Sequence, residues 1–264
     1  MSRELGLRIV TALVLFVAVV LWLFRAPDPW FQLILGLFAI AATTELLTLV
    51  KLFPLRWFGL VAASVWAFVL VGGSPMVALL MLWLVWGALV LLFARQELLV
   101  AQFHALAAAS VMMVWLLFFV WMVLQLHHHF DGTLFLAGAC LAVWASDIAA
   151  YFAGRAWGRR KLAPAVSPGK SIEGFQAGVL AGTLVGAAFW HATIGLGLLY
   201  AVAIGVVVTV AGVAGDLMES ALKRSVGAKD SGIMLPGHGG LLDRIDALLP
   251  SIPLAGMIWL KLVS

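Results

Sequence analysis

The residue types that could do chemistry are concentrated between positions 216 and 246. Acids, bases and glycines are packed here at a density that the rest of the chain does not approach. The helical spacing i, i+3, i+4, i+7 places four polar residues on one helix face: Asp216, Glu219, Ser220 and Lys223. Mg²⁺ prefers oxygen ligands and usually takes one or two carboxylates together with phosphate oxygens and waters. The segment therefore suits a metal-bound polyphosphate, although an ordinary solvated loop is the competing interpretation.

A glycine-rich stretch follows in the same segment. Gly237, Gly239 and Gly240 would let backbone N–H groups approach phosphate oxygens closely, and His238 could add a directional donor. Asp243 and Asp246 form a second acidic pair at i, i+3, where the last apolar span is predicted to begin. We expect these two acids to add metal ligands to those of the first helix face.

A second polar connection covers residues 154–173. Asp147, Tyr151 and Gly154 or Arg155 recur on one helix face that leads into it. The run Ser167-Pro168-Gly169-Lys170-Ser171 predicts a turn followed by a helix start, whose free N–H groups and lysine charge would attract an anion. The bases between Arg155 and Lys161 are equally well explained by the positive-inside rule or by anionic lipid head groups.

Acids inside the predicted apolar spans also indicate a functional site. An Asp at mid-bilayer costs on the order of 3 kcal/mol and is rarely kept without a partner or a role. Asp147 and Asp216 are the two candidates, with a structural salt bridge to a nearby Arg as the alternative. Glu45 lies closer to a membrane interface, and a structural role is favoured there.

The elements that must position these residues are apolar helices. The chain has 264 residues, of which 64% are hydrophobic and 11% charged, whereas about a quarter of a soluble domain is charged. We predict an all-α polytopic membrane bundle that forms one membrane domain over 1–264. Residues 1–130 would mainly pack, and residues 131–264 would carry the chemistry on the connections 154–173 and 219–246. The nine predicted spans are 8–24, 31–50, 57–72, 75–94, 105–126, 133–153, 174–192, 196–217 and 246–262.

The distribution of charge predicts an orientation. With a cytoplasmic N-terminus and an outer C-terminus, all of the 16 Lys and Arg residues except Arg25 and Lys261 lie on the inner side. We therefore expect a bacterial inner-membrane protein whose polar connections face the cytoplasm, and we expect the first span to be a retained signal anchor. The net charge of +4 is explained by these membrane-flanking bases, so no nucleic-acid partner is expected. The single cysteine, Cys140, lies in an apolar span and is expected to pack.

The 27 residues from Ser220 to Asp246 resemble the signature of the phosphatidate cytidylyltransferase family. They read SALKRSVGAKDSGIMLPGHGGLLDRID, and the upstream runs SDIAAYFAGRAWGRRKL and SPGKSIEG are also similar to the family, which more often has Thr where this chain has Ser171. The resemblance covers the C-terminal half specifically. It implies an enzyme that forms CDP-diacylglycerol and pyrophosphate from CTP and phosphatidic acid, with Mg²⁺ as cofactor and room for K⁺ as a second metal.

The resemblance also implies roles for individual residues. Asp216 and Asp243 correspond to metal-binding acids, and Asp246 is expected to join them. The nucleotide and phosphate region would contain five candidate catalytic residues: Lys223, Arg224, Lys229, His238 and Arg244. The substrate-binding candidates are Asp147, Tyr151, Ser167, Lys170, Ser171, Gly237, Gly239 and Gly240.

The sequence is also compatible with two other functions. The same chemistry could use a different lipid phosphate, such as an archaeol-type acceptor. An ion-coupled transporter could use Asp147 and Asp216 as coupling acids, but it would need acids near mid-span and would not consume CTP. His127, His128 and His129 fall on the opposite side of the membrane and make a poor closed metal site by themselves. A homodimer is compatible with this class of protein, but no segment demands one.

Overall fold

The structure is a computed structural model that describes residues 14, 17–50, 63, 65–70, 73–74, 76–78, 80–81, 84, 96–232, 234 and 239–263. Its helices and strands follow in this order: α1 Asp28–Val50, α2 Gln96–His127, α3 Gly132–Trp157, β1 Lys161–Ala163, β2 Ser167–Ser171, α4 Ile172–Ile194, α5 Leu198–Ser225, the 3₁₀ helix η1 Leu242–Arg244, and α6 Leu248–Val263. The predicted helical class is confirmed, with one short hairpin added.

Five helices of the described part are long and apolar enough to cross a membrane. The spans are Asp28–Val50, Ala107–His127, Gly132–Trp157, Ile172–Ile194 and Leu198–Ser225, and the apolar helix Leu248–Val263 is shorter. Large apolar side chains lie exposed on them, including Phe152, Leu184 and Val206. Water would penalise such surfaces, whereas lipid tails would not. The chain is therefore an integral membrane protein.

The observed helices agree with the corresponding predicted spans to within a few residues, except at the C-terminal end of α5 and the start of α2. The predicted spans 8–24, 57–72 and 75–94 fall partly or mostly outside the described residues. The total of nine spans and the N-in, C-out orientation accordingly stay predictions, as does the single membrane domain over 1–264.

The chain divides into two compact units. The first comprises Met1–Met113 and Ser225–Arg244, and the second comprises Val114–Arg224 and Ile245–Ser264. In the first unit η1 packs against α1, and in the second α3 packs against α4 and α6. Both polar connections of the sequence analysis contribute to the second unit, while Asp243 belongs to the first.

Helices α3 and α4 approach closely because small residues line their contact. Gly174, Gly178, Gly182 and Gly186 recur every fourth residue along α4, and all four are buried. A Cβ on Gly178 would lie 2.9 Å from the carbonyl oxygen of Ser146 on α3. Without side chains in this row, the two backbones can pack closely along their length. The C-terminal end of α3 and the N-terminal start of α4 are thereby fixed next to each other.

A hairpin connects these two helix ends. Strands β1 and β2 pair antiparallel, with Lys161 opposite Ser171 and Ala163 opposite Ser167. Ser171 then caps α4, since its hydroxyl accepts a hydrogen bond from the Gly174 N–H at 3.1 Å. The predicted helix start is confirmed, but the predicted turn at 167–171 is wrong. Pro168 and Gly169 favour a turn in the sequence. In the structure these residues are extended, because β2 forms backbone hydrogen bonds with β1.

Aromatic side chains fill the second unit near the N-terminal end of α3. The ring of Phe135 stacks on Trp190 at 5.2 Å and on Trp259 at 4.7 Å between centroids. The Trp190 indole N–H also donates to the Phe135 carbonyl oxygen at 3.0 Å. His129 packs edge-on against Trp259, so this histidine has a packing role. The aromatic cluster holds α3, α4 and α6 together at the end of α3 that lies far from the hairpin.

Candidate active site

The contact that organises the polar end of the second unit joins the two predicted connections. The Lys170 ammonium on β2 lies 2.5 Å from Asp216 Oδ2 on α5. Their side chains are 28% and 31% exposed, so solvent and solutes can reach both. Residues 46 positions apart in sequence thus bring the hairpin and α5 together.

Asp216 is the centre of this group. Its second oxygen, Oδ1, accepts a hydrogen bond from the Ser220 hydroxyl at 3.3 Å. Asp147 on α3 interacts electrostatically with both Asp216 and Lys170. The two acids that the sequence marked as intramembrane candidates therefore belong to one cluster, and the cation paired with Asp216 is Lys170 rather than the arginine of the alternative interpretation.

Tyr151 lies one turn beyond Asp147 but makes a different contact. Its hydroxyl accepts a hydrogen bond from Arg155 Nη1 at 3.2 Å, and its ring packs edge-on against Phe152. The side chain is 60% exposed. The predicted polar stripe along α3 is therefore present, but its members contact different partners.

A second acid–base pair lies on the same helix. Lys223 Nζ is 2.8 Å from Glu219 Oε2, and the Glu219 side chain is fully buried. The predicted shared helix face is confirmed by this pair together with the contact between Ser220 and Asp216.

Asp246 also belongs to the second unit, in the turn that precedes α6. Burial, together with the negative charge of Asp216, raises its pKa to about 7. The hydrogen bonds with the Ala247 N–H and the Glu219 side chain and the charge of Lys223 oppose part of this rise. The Ala247 N–H donates to Asp246 Oδ1 at 2.7 Å. A carboxyl group in this position is close to an even mixture of charged and neutral forms at neutral pH. Adding a cation there would favour the charged form.

Asp243 lies in the first unit, where it closes a loop. Its Oδ2 accepts hydrogen bonds from the backbone N–H groups of Ser231 at 3.0 Å and Gly240 at 2.9 Å. Gly239 has a φ of +81°, and a Cβ there would lie 2.9 Å from the same oxygen. Glycine at 239 is thus required by backbone conformation and by the approach of Asp243.

Glu45 supports the same loop from α1. Its Oε1 accepts hydrogen bonds from the Ser231 hydroxyl at 2.6 Å and from the Leu242 N–H at 2.8 Å. Its Oε2 accepts one from the Leu241 N–H at 2.8 Å. The residue is 6% exposed. This carboxylate therefore holds three donors of the loop that carries Asp243.

The acidic pair at 243 and 246 differs from its prediction. Asp243 lies in η1 and Asp246 in the following turn, and α6 begins only at Leu248. The i, i+3 face expected at a helix start is wrong because the chain forms a 3₁₀ turn there. The two acids also belong to different compact units.

The other predicted site residues are placed as follows. Arg224, Lys229 and Arg244 have exposed side chains, and Ser167 is half-buried. Ser171 is buried and acts as the cap of α4. Gly237 and His238 lie outside the described residues. Their predicted roles, like that of every residue proposed to bind substrate or metal, stay predictions.

The donor chemistry of these residues fits Mg²⁺. Asp216 and Asp243 offer hard carboxylate oxygens, and the raised pKa of Asp246 indicates a site where added positive charge would be favourable. Within the described residues, no three His, Cys, Asp or Glu side chains are arranged as a metal cage. A metal that arrives with a polyphosphate needs no such cage, because phosphate oxygens and waters complete its coordination.

The comparison with known protein families decides the family. The model of the cytidylyltransferase family matches residues 6–261. This chain belongs to that family. The match covers the N-terminal half of the chain as well as both polar connections.

Curated relatives of this cytidylyltransferase family member agree with the assignment. The phosphatidate cytidylyltransferase of Haemophilus influenzae is 46% identical over 132 residues, which are 48% of this chain and 46% of the relative. The Bacillus subtilis protein of the same name is 42% identical over 123 residues, 46% of each chain. The Pseudomonas aeruginosa protein of that name is 46% identical over 120 residues, 44% of each. The chain thus spans about half the length of the curated relatives it matches.

Sequence reasoning gave too little weight to two acids of this family member. Glu173 Oε2 accepts the backbone N–H groups of Arg159 and Arg160 and so holds the entrance to the hairpin. The sequence favours a structural role for Glu45, but it does not show that this acid anchors the loop of Asp243. A lone acid within a long apolar run was the available signal in the second case. Its partners, almost 200 residues away, were not visible in the sequence.

The raised pKa of Asp246 predicts a pH dependence of stability. An Asp in an unfolded chain has a pKa of about 3.9, so the folded state holds this proton more tightly. The contribution of this proton to the free energy of unfolding is fully present below pH 4 and is lost as the pH rises through about 7. In buffer with a chelator, the melting temperature of the wild type should fall relative to that of Asp246→Asn between pH 4 and 8. Parallel curves for the two proteins would contradict the raised pKa.

Proposed function

We propose that this chain transfers the cytidylyl group of CTP to phosphatidic acid, giving CDP-diacylglycerol and pyrophosphate. The cluster of Lys170, Asp216 and Asp147 carries the proposal, because it brings a cation and two acids from three elements to one partly exposed place. Membership of the cytidylyltransferase family and the names of the curated relatives support the same reaction.

The reaction needs little covalent help from the protein. A phosphate oxygen of phosphatidic acid forms a bond to the α-phosphorus of CTP, while the bond from that phosphorus to the bridging oxygen breaks and pyrophosphate leaves with the electron pair. A phosphomonoester has a second pKa of about 6 and is already largely anionic at neutral pH. The main obstacle is repulsion between two anions. Positioning and charge neutralisation would therefore account for most of the rate.

The basic residues would counter this repulsion. Lys170 and Lys223 each already neutralise an acid of α5, and a phosphate entering the cluster could share their charge. We assign phosphate and nucleotide contacts to a wider set of residues. The resemblance implies Arg224, Lys229, His238 and Arg244, and the residue pattern adds Tyr151, Ser167, Ser171, Gly237, Gly239 and Gly240. Asp147 would keep Lys170 oriented within the cluster.

The cofactor would be Mg²⁺, held by Asp216 and Asp243 with Asp246 contributing, and K⁺ is a candidate second metal. When bound, Mg²⁺ would neutralise charge on the triphosphate and on the departing pyrophosphate. The protein's own part is to supply carboxylates at fixed places. The hydrogen bonds from Ser231, Gly240 and Ser220 do this for Asp243 and Asp216.

The lipid substrate suits a cluster that lies beside the hairpin and on α3 and α5, two helices long and apolar enough to cross a membrane. We propose nine spans with the N-terminus in the cytoplasm, in a bacterial inner membrane, with the site facing the cytoplasm. The acyl tails could then stay in the bilayer while CTP arrives from the cytosol. The uneven distribution of Lys and Arg supports this side for both polar connections.

Transfer of label from α-³²P CTP into extractable lipid tests the reaction. Purified wild type with phosphatidic acid and Mg²⁺ should form labelled CDP-diacylglycerol, and Asp243→Asn should reduce the rate by about a hundredfold or more, because it removes a proposed ligand charge. The asparagine oxygen can still accept the hydrogen bonds from Ser231 and Gly240, so the loop should survive. Asp131→Asn is the matched control. It removes the same charge at the opposite end of α3, where the side chain makes no cap hydrogen bond, and should be fully active.

The outcomes separate the candidate functions. Label in an archaeol-type phosphate but not in phosphatidic acid would change the acceptor and keep the chemistry. No labelled lipid with either acceptor, from folded protein, would reject the enzyme and leave the ion-coupled transporter to be tested. Full activity of Asp243→Asn would reject only the assignment of that acid.

Cysteine labelling in right-side-out membrane vesicles tests the orientation. In a Cys140→Ser background, Phe130→Cys and Gly169→Cys place thiols before and after α3, and both positions are exposed. A membrane-impermeant maleimide should label position 130 in intact vesicles and position 169 only after permeabilisation. The opposite pattern would contradict the proposed orientation.

A further inference from the structure

The loop that carries Asp243 depends on a buried carboxylate from a distant helix. Glu45 is nearly inaccessible at 6% exposure. Three donors surround it: the backbone N–H groups of Leu241 and Leu242 and the hydroxyl of Ser231, at 2.6–2.8 Å. Hydrogen bonds to a charged group are about twice as strong as neutral ones. A buried acid in this arrangement fixes the backbone that it holds.

The sequence of the loop is shaped around Glu45. A Cβ on Gly232 would lie 2.8 Å from Glu45 Oε2. A Cβ on Gly240 would collide with Glu45 Oε1 and with the Ser231 hydroxyl. Two glycines of the signature segment are therefore required by the approach of an acid in the N-terminal half of the chain.

Glu45 and Asp243 act on the same short stretch of backbone. Ser231 donates its hydroxyl to Glu45 and its N–H to Asp243. Leu241 and Leu242, which donate to Glu45, lie between Gly240, which donates to Asp243, and Asp243 itself. Moving the Glu45 carboxylate would thus displace both the donors and the backbone that set the orientation of Asp243.

We propose that Glu45 is a positioning residue for Asp243, which it orients toward the metal–nucleotide substrate through Ser231 and the backbone of residues 240–242. The proposal rests on the proposed function for the identity of that substrate. Outer partners that orient a metal ligand typically change metal affinity by about 10–100-fold when they are replaced. Glu45 differs from a residue that only stabilises α1, because its hydrogen bonds go to the loop.

Glu45→Gln is a sharp test because both oxygens accept from a backbone N–H. Whichever way the amide turns, its NH₂ group faces the N–H of Leu241 or Leu242, so one hydrogen bond becomes a contact between two donors. Thr43→Val is the matched control. Thr43 lies two residues away on α1, is 1% exposed, and bonds to Ala39 and Trp66 rather than to the loop.

The measurement is the affinity for Mn²⁺ in the presence of CTP and without lipid, followed by electron paramagnetic resonance on detergent-purified protein. We expect Glu45→Gln to weaken Mn²⁺ binding about tenfold or more and Thr43→Val to change it less than about twofold. Ser231→Ala removes one of the three donors to Glu45 and should shift the affinity in the same direction by a smaller factor. It supplies the test if Glu45→Gln does not fold.

The possible results are distinct. Wild-type affinity in folded Glu45→Gln, or in Ser231→Ala if only that variant folds, would overturn the proposal. So would an equal loss in Thr43→Val. If the wild type transfers no label to lipid, the proposed function fails by itself, and the Mn²⁺ comparison still decides the role of Glu45 because it requires no turnover.

Discussion

Charge in an apolar bundle is the constraint on which the rest of this structure depends. A carboxylate removed from water costs several kcal/mol unless a cation or several hydrogen bonds replace its hydration. Three buried or half-buried acids of the described helices meet this requirement, each in its own way. Asp216 uses Lys170, Glu219 uses Lys223, and Glu45 uses the backbone and a serine hydroxyl.

These pairings determine where the backbone can go. The contact of Lys170 with Asp216 ties the hairpin to α5, and the hairpin is placed by the glycine row that lets α3 and α4 pack closely. In the other unit, Glu45 holds the loop that carries Asp243 against α1 through three hydrogen bonds. The same acids that require balancing charge within the protein are suited to a metal-bound triphosphate, which brings both positive charge and new acceptors.

The sequence predicted the helical class and most boundaries of the described helices, because long apolar runs leave few alternatives in a membrane. It also predicted the shared face of Asp216, Glu219, Ser220 and Lys223, since i, i+3 and i+4 spacing is local. It did not predict the hairpin or the 3₁₀ turn at Asp243. The hairpin depends on pairing between two strands. The 3₁₀ turn depends on the local backbone conformation, which helical periodicity does not predict. The role of Glu45 was missed because its partners are almost 200 residues away.

The central proposal is that Asp216 on α5 takes part in binding CTP through a divalent metal. Equilibrium binding of labelled CTP to purified protein, with Mg²⁺ and with a chelator, tests it directly. The account predicts that CTP binds with Mg²⁺, that binding is largely lost with the chelator, and that Asp216→Asn binds CTP as weakly with Mg²⁺ as the wild type does without it. Equal binding of CTP by the wild type with and without the metal would contradict the account.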